Sequence, residues 1–193
     1  MRIFAAFPLP PAAAAGIGTA FSAARQLAPR VRWVSTETMH LTLHFFGEVS
    51  EDGISAFAPV FDDPDLKVAP IPTILGEPGF FPSAGRPRVL WVGLRTGVEQ
   101  MNAFWKLLTD KLEPLRKAGS PLSRWSPEAR GFAPHVTVAR AGSTPLSAEW
   151  TQGVSIPTGE FAVTECVLFQ SLIGEGGARY VPLKTIPFTG GTP

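Results

Sequence analysis

The chain has 193 residues, 45% hydrophobic and 17% charged, enough to bury a sizeable core and incompatible with extensive disorder. Seventeen basic and 16 acidic side chains leave a formal charge of +1, so no global attraction to a nucleic-acid backbone or an anionic membrane is built in, and any phosphate recognition must be local. The single Cys166 excludes an intrachain disulfide framework and a cysteine metal cluster and agrees with a cytoplasmic location, and no apolar run approaches the roughly 18 residues of a membrane span.

In chain order, residues 2–7 read as a buried first strand, because the prolines at 8, 10 and 11 cut the apolar run too short for a signal peptide. The Pro10-Pro11 pair suits the start of a helix running to about Ala28, with Ile17, Phe21, Ala24 and Ala28 on one face. Residues 39–46 alternate as a half-buried strand, which puts His40, Thr42 and His44 on one face and Leu41, Leu43 and Phe45 on the other. The proline-rich stretch 62–88 holds a strand or two, and Val89–Leu94 is an apolar strand. Thr96 and Glu99 have capping-box spacing ahead of a helix whose core face is Met101, Phe104, Trp105, Leu108, Leu112 and Leu115. Gly119–Pro134 is an exposed loop, and 134–140 alternates as a second half-buried strand. Two last strands, about 161–171 and 179–187, flank a turn at Gly174, Gly176 and Gly177, and the tail 189–193 is frayed. A helix, an Arg-Trp pair (32–33, then 124–125) and a His-apolar-Thr-apolar strand occur once in each half. This is the pattern of two related α+β lobes in a single domain spanning 1–193, each lobe offering one strand to a shared cleft.

The repeated unit is His40-Leu41-Thr42-Leu43 and His135-Val136-Thr137-Val138, which uses two of the three histidines. In a strand, residues i and i+2 point the same way about 6.5–7 Å apart, so an imidazole and a hydroxyl can reach different oxygens of one phosphate. Two such strands facing across a cleft put two imidazoles on opposite sides of a phosphorus atom. In-line displacement needs that opposition, since one group takes a proton from the incoming oxygen while the other protonates the departing one. Histidine serves both tasks near neutrality.

These stretches, with Arg2–Pro10, Met39–Glu48, Arg130–Arg140 and Phe169-Gln170-Ser171 followed by Tyr180, resemble the two-histidine (2H) phosphoesterase superfamily, in its branch of RNA 2′,3′-cyclic phosphodiesterases formerly called 2′-5′ RNA ligases. The resemblance spans essentially the whole chain. It implies an α+β fold of two pseudo-symmetric antiparallel sheets with outer helices around a central cleft. The implied activity is metal-independent hydrolysis of a 2′,3′-cyclic phosphate on RNA ends or nucleotides to a 2′-phosphate, with no cofactor. Carried over by position, His40 is the proton donor to the departing 3′ oxygen and His135 the base for water, roles that near-twofold symmetry makes easy to exchange. Thr42 and Thr137 hold the phosphate. Ligation of a 5′-hydroxyl end by the reverse reaction uses the same groups, and a binding module that holds a nucleotide or RNA end without cutting it is the rival from another class. The substrate cleft is expected in a monomer, with no membrane partner and only modest salt dependence.

Of the other residues, His44 reads as a rim residue able to touch a sugar or base, or else as a solvated strand end. It lies about 13 Å from His40 along an ideal strand, too far for both to hold one metal ion. Arg130 either approaches the phosphate from the cleft edge or is a plain surface arginine. Simple pleat geometry points Arg140 away from His135. Trp33, Trp125 and Phe80–Phe81 are candidate base-stacking platforms, and Cys166 is a buried, inert thiol.

Overall fold

The computed structural model describes residues 1–117, 119–120, 122–128, 131–174 and 177–189. Its first strand, β1 (Arg2–Pro8), is paired on both edges and is buried on both faces from Ile3 to Phe7. Helices α1 (Pro11–Ala20) and α2 (Ser22–Leu27) replace the single helix expected to Ala28. The break falls at Phe21, at φ −103° and ψ 14°, yet Ala14, Ile17, Phe21 and Ala24 are all buried, so the apolar stripe crosses the break. Two glycines in α1 trade helix strength for close packing: a Cβ on Gly16 would sit 2.6 Å from Pro157, and one on Gly18 would sit 2.8 Å from the Thr36 methyl.

The strands β2 (Arg32–Trp33) and β3 (His40–Glu48) follow, then helix α3 (Glu51–Phe57), capped by the Ser50 hydroxyl. The proline-rich stretch holds β4 (Ile71–Thr73) and β5 (Leu75–Phe81), and β6 (Val89–Leu94) leads to α4 (Val98–Leu112). The expected capping box does not form. Gly97, at φ +82°, is the N-cap, and a Cβ there would meet the Pro72 carbonyl and the Thr73 hydroxyl at 2.9 Å. A left-handed residue pressed against a neighbouring strand starts this helix, so Thr96 stands one position too early to cap it. Met101, Phe104, Leu108 and Leu112 are buried as the periodicity predicts, and Phe104 meets Phe7 of β1 with 5.3 Å between ring centroids.

The remaining strands are β7 (Val136–Arg140), β8 (Phe161–Val163), β9 (Glu165–Gly174) and β10 (Gly177–Pro187). The strand expected at 161–171 is thus two strands. The turn residues at 175 and 176 and the tail from Gly190 lie outside the described residues. The loop between α4 and β7 is less exposed than its composition suggests, since Leu122 and Trp125 plug into the core.

Strand order is β10-β9-β1-β3-β7-β6-β5, with β2 also against β7, and β4 pairs β8 separately. All pairings are antiparallel. The two expected sheets meet through one residue pair, Leu41 with Val136. Beyond it β3 and β7 splay, and β2 takes up the freed edge of β7, pairing Arg32 with Arg140 and Trp33 with Ala139. The cleft opens at that fork. Among the described residues no helix is long and apolar enough to cross a membrane. Gly97→Ala should lower stability by about 2 kcal/mol, through left-handed strain and the close approach of Pro72 and Thr73, as read from the denaturant midpoint at constant m.

Candidate active site

Leu41 and Val136 are fully buried and face the core, so their strand neighbours His40, Thr42, His135 and Thr137 face the other way, each half-buried. Continuing the antiparallel register by one residue on either side sets His40 opposite Thr137 and Thr42 opposite His135. In that register the histidines lie on one diagonal and the threonines on the other.

Each imidazole is held in the same way. His40 Nδ1 bonds the Thr38 carbonyl at 2.7 Å, and His135 Nδ1 bonds the Ala133 carbonyl at 2.8 Å. A carbonyl can only accept, so Nδ1 carries the proton, and Nε2 is the atom free to take up or release one. Aromatic rings wall both. His40 lies 5.0 Å from the Phe4 ring and 5.2 Å from Tyr180, and His135 lies 5.0 Å from Phe81 and 6.3 Å from Trp91. Burial holds the His40 imidazole down at about 4 from the ordinary 6.5. The Thr38 carbonyl opposes that shift, while Arg140 and His135 add to it. His135 is lowered too, by burial first, against its bond to the Ala133 carbonyl, with Arg140 again contributing.

Arg140 reaches this face because of a β-bulge. Trp91 pairs with Thr137 and Leu90 with Ala139, so Val138 is an extra residue, and Val138 and Ala139 both point into the core. The alternation restarts one residue late, and Arg140 turns to the cleft with Nη2 at 3.5 Å from the Thr137 hydroxyl. A matching bulge follows His40-Leu41-Thr42: Ala6 pairs with Thr42 and Ala5 with His44, leaving Leu43 extra.

The cleft is a cavity of about 1200 Å³ whose lining includes His40, Thr42, Arg140, Trp33, Phe4 and Tyr180. Arg2, Arg25 and Arg32 also line it, and no acidic residue does among the described residues.

Residues 7–91 match the family model described as LigT like phosphoesterase. The chain is 33% identical over 164 residues to an RNA 2′,3′-cyclic phosphodiesterase of Thermotoga maritima, covering 82% of this chain and 80% of that one. The chain belongs to the LigT-like phosphoesterase family. An RNA 2′,3′-cyclic phosphodiesterase of Geobacillus stearothermophilus is 29% identical over 97% of this chain, which spans 57% of that protein's length. The solved structure of E. coli LigT complexed with 3′-AMP superposes with a TM-score of 0.70 at 26% identity, covering 97% of this chain and 98% of that one.

This LigT-like phosphoesterase departs from the sequence expectations at His44, Trp125 and Arg140, and also at Phe45, expected on one face with Leu41 and Leu43 but 51% exposed and lining the cleft. The bulge at Leu43 turns His44 into the core, only 3% exposed, where it stacks on Trp105 at 5.6 Å, meets Trp125 edge-on at 5.2 Å and hydrogen-bonds Thr109. It is neither a rim residue nor a solvated strand end. Trp125 is a core residue at 4% exposure rather than a stacking platform, whereas Trp33 does line the cleft and Phe81 does flank His135. Arg140 is the third. Pleat parity counts residues as if no bulge intervened, and nothing in the local sequence marks the extra residue. Arg130 lies outside the described residues. Cys166 is fully buried, and burial pushes its thiol well above the ordinary range.

Burial also lowers His44 to about 4, against the Trp105 carbonyl, which favours the charged form. The unfolded chain therefore binds the proton more tightly. Stability is complete above pH 6.5 and is lost as pH falls toward 4, on the order of 3 kcal/mol from this one side chain. Urea melts of wild type and His44→Leu between pH 4 and 7 should show a shallower pH slope in the variant.

Proposed function

We propose that this protein hydrolyses 2′,3′-cyclic phosphates at RNA ends or on nucleotides to 2′-phosphates. The observation that carries the proposal is the diagonal pair of half-buried imidazoles, each with Nδ1 tied to a backbone carbonyl and Nε2 left to exchange a proton. Binding alone requires no such opposed pair. Family membership, the cyclic phosphodiesterase names of the relatives and the 3′-AMP bound to E. coli LigT support the same substrate class.

The reaction is a balanced in-line displacement. Water attacks phosphorus as His135 Nε2 takes its proton, the bond from phosphorus to the 3′ oxygen breaks, and His40 Nε2 gives a proton to that oxygen, leaving a 2′-phosphate. The hydroxyls of Thr42 and Thr137 and the Arg140 guanidinium take the non-bridging oxygens, where charge accumulates in the transition state. Burial makes a protonated His40 a strong acid, suited to a poor leaving group, and the bound phosphate's charge offsets the cost of protonating it. No step needs a metal ion. Ligation follows the same course with a 5′-hydroxyl in place of water: its oxygen attacks phosphorus as its proton is taken, the bond to the 3′ oxygen breaks and that oxygen is protonated, leaving a 2′-5′ phosphodiester.

His40→Ala and His135→Ala should each lower kcat by about 10²–10⁴-fold on 2′,3′-cyclic mononucleotides. Wild type should yield only 2′-phosphates and be indifferent to EDTA. Wild-type rates in either variant would refute the two-histidine mechanism.

The pH profile carries a sign of its own. The free protein holds both imidazoles below 6.5, so the bell of kcat/KM should peak on the acid side of that value. Bound phosphate raises both, so the kcat bell should lie at higher pH. Because Arg140 lowers both imidazoles, Arg140→Ala should move the kcat/KM bell toward higher pH while raising KM. An unmoved bell would remove Arg140 from the phosphate site.

A further inference from the structure

Arg32 and Arg140 are directly opposed residues on β2 and β7. Opposed cross-strand side chains share a face, and like charges in that position are destabilising. Neither arginine has a carboxylate partner among the described residues; the ion-paired arginines are Arg2, Arg95 and Arg116. Arg25 is a third arginine of this kind, stacked on Trp33 at 5.5 Å and donating to the Val34 carbonyl.

A second cavity, of about 340 Å³, adjoins this cluster and is lined by Arg86, Arg88, Ala141, Gly142, Ser143 and neighbouring apolar residues. Its two arginines also lack carboxylate partners among the described residues, and none of its lining residues is acidic. Arg32 connects the two cavities. Its Nη2 donates to the Ala141 carbonyl at 2.7 Å, and a Cβ on Gly142 would stand 3.2 Å from its Nε, so the guanidinium lies against the wall of the second cavity while lining the first. The loop that carries Arg86 and Arg88 is fixed to the same rim. Arg88 N–H donates to the Phe81 carbonyl, Ala141 N–H donates to the Arg88 carbonyl, and Phe81 packs on His135.

The result is a row of guanidinium groups leading from the phosphate-facing Arg140 through Arg32 to Arg88 and Arg86. A single cyclic phosphate can engage only its beginning. Five-donor guanidinium forks repeated along a rim suit successive phosphodiesters of one strand. We infer that the row is a subsite for the RNA chain upstream of the cyclic end: the phosphate on the 5′ side of the terminal nucleotide lies at Arg32, and the one before it lies in the cavity of Arg86 and Arg88. The preferred ligand is then an oligoribonucleotide end rather than a free cyclic mononucleotide. The inference rests on the proposed function for the terminal nucleotide and adds the chain behind it.

Binding of the reaction products tests the subsite apart from turnover. The probes are a nucleoside 2′-monophosphate and a ribotrinucleotide ending in the same 2′-phosphate, titrated by calorimetry between 50 and 200 mM salt. The trinucleotide should bind at least tenfold more tightly, with a slope of log affinity on log salt steeper by about 1.4 for its two added phosphates. The Arg86→Ala, Arg88→Ala double variant, altered at two exposed positions, should lower the ratio of the two affinities by about tenfold. Equal affinities in wild type, or a ratio that the double variant retains, would overturn the subsite. Failure of the hydrolase proposal reads differently: cyclic mononucleotides would remain uncut whichever product binds better.

Discussion

The contact between Leu41 and Val136 is the one on which the architecture turns. It is the single residue pair by which β3 and β7 bond to each other, and both side chains are fully buried. A longer ladder between the two strands would close the fork, and no ladder would let the halves drift apart. One pair fixes the relative register of the two His-x-Thr strands. Because the pair faces the core, its immediate neighbours on both strands must face the opening, and those neighbours are the two histidines and two threonines. The geometry of the site follows from the seam with no adjustment by loops, which suits chemistry that depends on two atoms lying across a line.

The identities of these four side chains, and of the strands that carry them, were legible because both rest on period two: His40-x-Thr42 and His135-x-Thr137 advertise themselves by alternation. Parity holds only while each residue has a partner, however, and both strands break it immediately after the motif. Leu43 and Val138 are ordinary apolar residues in apolar runs, and whether either is extra depends on how Ala5, Ala6, Leu90 and Trp91 lie on the neighbouring strands. Long-range pairing decides it, so simple alternation puts His44, Phe45 and Arg140 on the wrong face. The same holds for Gly97, whose left-handed turn answers to Pro72 and Thr73, and for Trp125, which sits in a polar loop but packs on His44 and Phe46.

The charge of +1 conceals a sorting of charges. Outside the cleft, Asp62 is engaged by Lys184, Asp63 and Asp65 by Lys111, Glu77 by Arg95 and Glu113 by Arg116, while Arg25, Arg32 and Arg140 of the cleft have no carboxylate partner among the described residues. Overall neutrality and a basic cleft are therefore compatible.

The bulge at Leu43 divides β3 between two environments, whereas the one at Val138 returns Arg140 to the cleft face. Ahead of Leu43 the strand presents reactive groups to solvent; behind it, the same nine-residue strand feeds His44 and Phe46 into an aromatic cluster with Trp125. Under the proposed mechanism, changes at 40 and 42 act on rate, while changes at 44 and 46 act on the aromatic core. One inserted residue is the boundary. It lets the interior drift and be repaired by compensating substitutions while the side chains ahead of it stay where they are, an insulation of the cleft face from the core along a single strand.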